Sequence, residues 1–386
     1  MASLIRDRSA ATAEMLEIFG DAFLLKGAYA FEAALARALG AEGLLTASDV
    51  AVIVAACDAP VIDVAELADE AAHAGTLAIP LVQRLREDVA ARSRTAAEKV
   101  HHGATSQDIA DTALMLQAKR ASALIDAALS RIAAALTRLT EAHVATPMIG
   151  RTLLQPARPI TFGLKAANWL LGIDSAWARF RRERDGALQL QFGGAAGTLA
   201  GFEGKAITIA QRMADELGLS LPAMPWHARR DRIAGLGAAL AIVAGSMGKV
   251  ARDVSLLSQD EIAEAREPTI AGRGGSSAMR HKRNATGCQV ALSAALRCPA
   301  LAASLMAGLP QEHERGLGGW QAEAPVLAEL FALTHGALDA MAVVVEGLEV
   351  DPTAMARNLQ STGLGNDTAE AQALVRRALE HCRKTT

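Results

Sequence analysis

Residues 272–284 read Gly-Arg-Gly-Gly-Ser-Ser-Ala-Met-Arg-His-Lys-Arg-Asn, and they hold much of this chain's capacity for chemistry. Glycines free the backbone and present its N–H groups. Ser276 and Ser277 bring hydroxyls that can carry a proton, Lys282 can hold negative charge close to them, and Asn284 adds an amide. Donors grouped in this way suit an anion whose charge grows during reaction. The same stretch is also compatible with an ordinary surface loop. Its Gly-x-Gly-Gly is no dinucleotide fingerprint, because no strand precedes it and no βαβ unit surrounds it.

Two further polar segments carry clustered donors. His101-His102-Gly103-Ala104-Thr105-Ser106-Gln107-Asp108 ends in residues that can cap a helix. Its N–H and hydroxyl donors could equally hold a carboxylate at the helix start. Gly150-Arg151-Thr152-Leu153-Leu154-Gln155-Pro156 is joined by Gln191-Phe192-Gly193-Gly194-Ala195-Ala196-Gly197-Thr198. Here a tight crossing of helices explains the glycines as well as ligand binding does. No group of His or carboxylate residues has metal-ligand spacing, so neither a metal nor another cofactor is expected.

The elements that must position these segments are helical. Ile125, Leu129, Ile132, Leu136 and Leu139 step by four and three, as do Leu236, Leu240, Val243, Met247, Val250, Val254 and Leu257. Such seams belong to long helices packed in bundles. Alternation typical of strands is hard to find, and the chain is read as all-α, with long helices bundled at its centre. Connections are expected at 100–108, 144–161, 191–203, 219–231 and 266–287. Pro147, Pro156 and Pro159 make the second of these a poor helix interior. A shorter amphipathic helix is expected over 28–42. Three parts follow: an N-terminal helical domain at 1–110, the bundle at 111–345, and a short C-terminal helical unit at 346–386.

Composition narrows the classes of function. The 386 residues are 51% hydrophobic but only 3% aromatic, so the core must be built of Ala, Leu, Val and Ile. A net charge of −3 exerts no general pull on nucleic acid or anionic membrane. Cys57, Cys288, Cys298 and Cys382 form no Cys-x-x-Cys pair and fit a reducing cytoplasm. The N-terminus has no apolar leader-like run, and apolar stretches are interrupted by Arg, Asp, Lys or Gly before reaching spanning length. The expectation is a soluble cytoplasmic protein with neither nucleic acid nor membrane as partner.

Taken together, the three polar segments resemble the fumarase/aspartase superfamily, whose signature is Gly-Ser-Ser-x-Met-Pro-x-Lys-x-Asn. The counterpart here runs from Gly275 to Asn284, with the other two regions in the same order along the chain. The resemblance implies an all-α homotetramer with a twenty-helix core and active sites built from three chains. Pro225-Trp226-His227-Ala228-Arg229-Arg230-Asp231-Arg232-Ile233, the run Glu312 to Glu323, and Gly347-Leu348-Glu349-Val350-Asp351-Pro352 are similar to the 3-carboxy-cis,cis-muconate cycloisomerase branch. That branch implies lactone formation from a small polycarboxylate in aromatic degradation. By resemblance Ser276 is the general acid, with Lys282 and Asn284 meeting charge on an enolate. His101, Thr105, Ser106, Thr152, Gln155, Arg232, Arg280 and Arg315 are then expected to bind carboxylates. Arg232 and Arg315 could instead be inter-helix ion pairs. His143, His227, His335 and His381 are read as packing or surface residues.

Departures from the superfamily pattern sharpen this reading. The lyases place a His where Leu153 stands and a Glu where Gln289 stands, and that pair handles the leaving group's proton. Without both, a fumarate-releasing lyase such as adenylosuccinate lyase is the weaker alternative. A cycloisomerase can dispense with them, because its nucleophile is a carboxylate already ionised at neutral pH. Arg280 replaces the signature's proline and Ala285 the proline that follows its Asn, which raises a sulfomuconate-preferring cycloisomerase and a non-catalytic homologue as further alternatives. The C-terminal unit is shorter than the family's usual one.

Overall fold

The computed structural model describes residues 3–275, 279 and 282–385. The first stretch is built of α1 (Leu4–Asp7), α2 (Ala13–Ile18), α3 (Asp21–Ala41), α4 (Ala47–Asp58), α5 (Val64–Ala74), α6 (Ala78–Ala90) and α7 (Arg94–Ala97). Short side chains punctuate it. Thr46 caps α4 through the Asp49 N–H, Asp63 caps α5, and Gly75 ends α5 in the left-handed region that glycine tolerates. Helix α3 begins at Asp21, a turn and more before the expected 28, because Gly20 admits the chain and Asp21 suits a helix N-terminus.

The centre follows with α8 (Ser106–Ala142), the strands β1 (Pro147–Thr152) and β2 (Gln155–Thr161), α9 (Phe162–Ala187), α10 (Ala206–Leu217), α11 (Asp231–Leu257), β3 (Ala265–Arg266), α12 (Thr286–Ala307) and α13 (Glu323–Glu346). Beyond it lie β4 (Glu349–Val350), α14 (Pro352–Gln360) and α15 (Ala369–Thr385). Long helices dominate. Helix α11 packs on α9, α12 and α13, while α8 packs on α9, α13 and α3. Both sequence seams point inward: Ile125, Leu129, Ile132 and Leu136 are buried, and so is every seam residue of α11 from Leu236 to Leu257. With few aromatics, helices approach closely through small residues. A Cβ on Gly248 of α11 would stand 2.5 Å from the Ala295 Cβ of α12.

An ionic knot crosses this apolar core. Arg230, only 1% exposed, donates to both Asp111 oxygens at 2.8 Å and also binds Glu323. Its guanidinium lies 4.7 Å from the Trp226 ring. One side chain thereby joins α8, the start of α11 and α13. Helices α11, α12 and the stretch Trp320–Glu346 are long and apolar enough to cross a membrane by composition. Most of the apolar window is buried within the bundle for the first and third, but only 28% of it for α12.

Strand structure appears where a loop is expected. Residues 147–161 form an antiparallel hairpin, with Thr152 opposite Gln155 and an irregular register between Gly150 and Arg151. Leu153 and Leu154 make its tip, both with positive φ, the twist that two-residue hairpins require. A two-stranded ribbon is all edge, so Pro147, Pro156 and Pro159 do not break it. A second ribbon pairs Ala265 with Val350 and Arg266 with Glu349.

Candidate active site

The glycine-rich loop springs from β3 and returns at α12, and its neck is tied. The Asn284 N–H donates to the Gly274 carbonyl at 2.8 Å, and its side-chain amide donates to the Gly275 carbonyl at 3.4 Å. Gly274 has a φ of 72°, and a Cβ there would meet the Asn284 carbonyl oxygen at 2.6 Å. Glycine is therefore required by conformation and by space. Below the neck, the Glu267 carboxylate accepts from the Gly287 and Cys288 N–H groups at 3.1 and 2.7 Å, closing the start of α12. Arg273 donates to the Thr286 hydroxyl at 3.3 Å. Arg283 forks onto Glu349 at 3.0–3.1 Å and reaches the Glu267 carbonyl at 2.8 Å.

These ties frame a cavity of about 540 Å³ lined by Arg266, Arg273, Lys282, Arg283, Asn284 and Thr286, among others. Its two lining carboxylates are already engaged: Asp260 pairs with Arg266, and Glu267 serves α12. Among the described residues, no carboxylate pairs with Lys282. The wall is thus cationic and rich in hydrogen-bond donors, a setting for a multiply charged anion. Ser276 and Arg280 lie outside the described residues.

A second cluster forms at the start of α8. Thr105 is its N-cap, and its N–H donates to Asp108 at 3.0 Å. Arg315 donates to the Thr105 hydroxyl at 2.6 Å, which brings together two residues 210 positions apart. Ser106 opens the helix, partly exposed. His101 binds the buried Glu32 at 2.5 Å. Asp108 accepts in addition from the Gly193 and Gly194 N–H groups at 3.1 and 3.0 Å and contacts His227 at 2.7 Å. The glycine run at 193–194 is thereby fastened to the α8 start. His227 and His335 are buried and His381 is exposed.

Thr152 and Gln155 stand at the exposed hairpin tip, and Arg232 donates to the Gly186 carbonyl from an exposed position. None of His101, Thr105, Ser106, Thr152, Gln155, Arg232 and Arg315 lines the Lys282 cavity. Leu153 is 97% exposed, and Gln289 is exposed on α12. Sequence reasoning passed over Glu32, Glu267, Arg273 and Glu349, whose partners are distant in the chain or are backbone groups.

A family model described as lyase matches residues 7–299. The chain belongs to this lyase family, that of fumarase and aspartase. A 3-carboxy-cis,cis-muconate cycloisomerase of Pseudomonas aeruginosa is 49% identical over 366 residues, spanning 95% of this chain and 80% of the relative. A nitrosuccinate lyase of Streptomyces davaonensis is 42% identical over 363 residues, spanning 92% and 76%. The crystal structure of a 3-carboxy-cis,cis-muconate lactonizing enzyme from Pseudomonas putida matches with a TM-score of 0.88 at 42% identity, covering 98% of this chain and 88% of that one. In this lyase fold the loop with Lys282 and Asn284 and the start of α8 are separate features of one chain, and both present donors suited to anions.

Proposed function

We infer that this lyase-family enzyme is a cycloisomerase that converts 3-carboxy-cis,cis-muconate to 4-carboxymuconolactone, within aromatic degradation. The observation that carries this reading is the 49% identity to a cycloisomerase across 95% of the chain. The cationic cavity beside Lys282 and Asn284 supports it. So do Leu153 and Gln289, which leave the lyase His and Glu positions without acid–base groups.

In the reaction, one substrate carboxylate forms a C–O bond across the far double bond and closes a five-membered lactone. The displaced electron pair moves onto the adjacent carboxylate, which becomes an aci-carboxylate, and a proton then reaches the carbon. Charge on that enolate is met by Lys282, Asn284 and the N–H groups after Gly275. Ser276 delivers the proton, and its hydroxyl can do so only with a cation and N–H donors beside it. The remaining charges fall to His101, Thr105, Ser106, Thr152, Gln155, Arg232, Arg280 and Arg315. The enzyme works in the cytoplasm as a homotetramer, each site assembled from three chains. Separation of the three regions supports this, as do exposed Leu153, Leu154 and Leu296 and the largely uncovered apolar window of α12.

The test is loss of diene ultraviolet absorbance when the enzyme meets 3-carboxy-cis,cis-muconate, repeated with Ser276→Ala. Rapid loss with the parent enzyme and a loss slower by about a hundredfold or more with the variant are expected. Absence of turnover by the parent, together with elimination from nitrosuccinate, would replace the reading with a lyase activity.

A further inference from the structure

Although Leu153 and Gln289 lack the lyase acid–base groups, a His–carboxylate pair exists elsewhere. Glu32 lies on α3 and is 1% exposed. Both of its oxygens face one residue: Oε1 is 2.5 Å from His101 Nδ1, and Oε2 accepts from the His101 N–H at 3.1 Å. An ionised carboxylate is costly to bury without a partner. Among the described residues, His101 is the group paired with it. Nδ1 therefore carries the hydrogen directed at Glu32, and Nε2 is the ring atom left for another molecule.

The backbone argues in the same direction. His101 has a φ of 62°, in the left-handed region that residues with a Cβ occupy at a cost. The bond from its own N–H to Glu32 holds it there. One carboxylate thus fixes backbone and ring together, four residues before the Thr105–Arg315 contact. The pair of His227 and Asp108 offers a contrast. Its ring is only 2% exposed, and its carboxylate is shared with three backbone N–H groups, so it joins segments. The His101 side chain retains 14% exposure.

We propose that Glu32 is a positioning residue: it orients His101 so that the ring edge bearing His101 Nε2 is held toward the substrate. The proposal rests on the reading that the 101–106 segment binds substrate. Full-length parent, Glu32→Gln, His101→Asn and the double variant are compared for KM and kcat in the diene assay, with Tm measured alongside. Loss of the hydrogen bond to substrate raises KM by about tenfold or more while kcat stays within about threefold. Glu32→Gln and His101→Asn should each show that split, and the double variant should be no worse than His101→Asn. Parental KM in Glu32→Gln, or two effects that multiply, overturns the role of Glu32. Parental KM in His101→Asn instead removes the segment from substrate binding, and Glu32 with it. If Glu32→Gln fails to fold, Glu32→Asp completes the same cycle.

Discussion

At the scale of single residues, the cavity and the core place opposite demands on charge. Lys282 lines the cavity with no carboxylate paired to it among the described residues, and the proposed reaction sets it against a developing anion. Lys282→Met is expected to lower kcat/KM by about a hundredfold to a thousandfold in the diene assay, with little change in Tm. Arg230 is the reverse case, a cation fully engaged by Asp111 and Glu323 away from solvent. Burial raises the Glu323 carboxyl above its usual range, against the pull of Arg230. Arg230→Met strands two acids, and urea unfolding at fixed protein concentration should show a loss of about 3–5 kcal/mol. Sequence reading singled out Arg232 rather than Arg230 for carboxylate binding. The two are separated by a step that turns a helix to its far side. Which side meets the core depends on Asp111 and Glu323, invisible from the local sequence.

At the scale of elements, the helices were legible and the ribbons were not. Seams stepping by three and four in α8 and α11 are buried as the pattern demands, and Met247 packs where the heptad puts it. The hairpin at 147–161 gives no such signal. Its prolines discourage helix, yet its residues do not alternate, because a lone ribbon has no deep core face to fill. The loop's anchors were hidden for another reason: Glu267 and Glu349 act on backbone N–H groups and on an arginine far along the chain. A pH effect belongs to the seam between α2 and α13, where Thr12 contacts His335 at 2.9 Å. Burial holds the His335 imidazole below its ordinary 6.5. Above that pH folded and unfolded chains are both neutral at this site. As pH falls below 6.5 the unfolded chain takes a proton that the folded one resists, so stability drops until the lower folded value is passed. Burial likewise lowers the His143 imidazole. Tm should therefore decline on acidification below about 6.5, and His335→Gln should lessen the decline in thermal scans across that range.

At the scale of the whole molecule, the proposed assembly makes a claim that one chain cannot satisfy. Lys282→Met and Gln155→Ala strike regions that stand apart in the single chain. If sites draw the loop and the hairpin from different subunits, co-refolding the two impaired variants in equal amounts restores about a quarter of the parental activity, since half the loops and half the hairpins are intact. Sites contained in one chain would gain nothing from the mixture. The ribbon of β3 and β4 bears on a different matter, the order in which the protein comes into being. Ala265 pairs with Val350, and the arginine beside Lys282 is gripped by Glu349. During translation the bundle's helices emerge while that glutamate is still to be added. The grip of Glu349 on Arg283 is therefore the late tie of that loop, and a chain released before residue 349 lacks it however well its helices have folded.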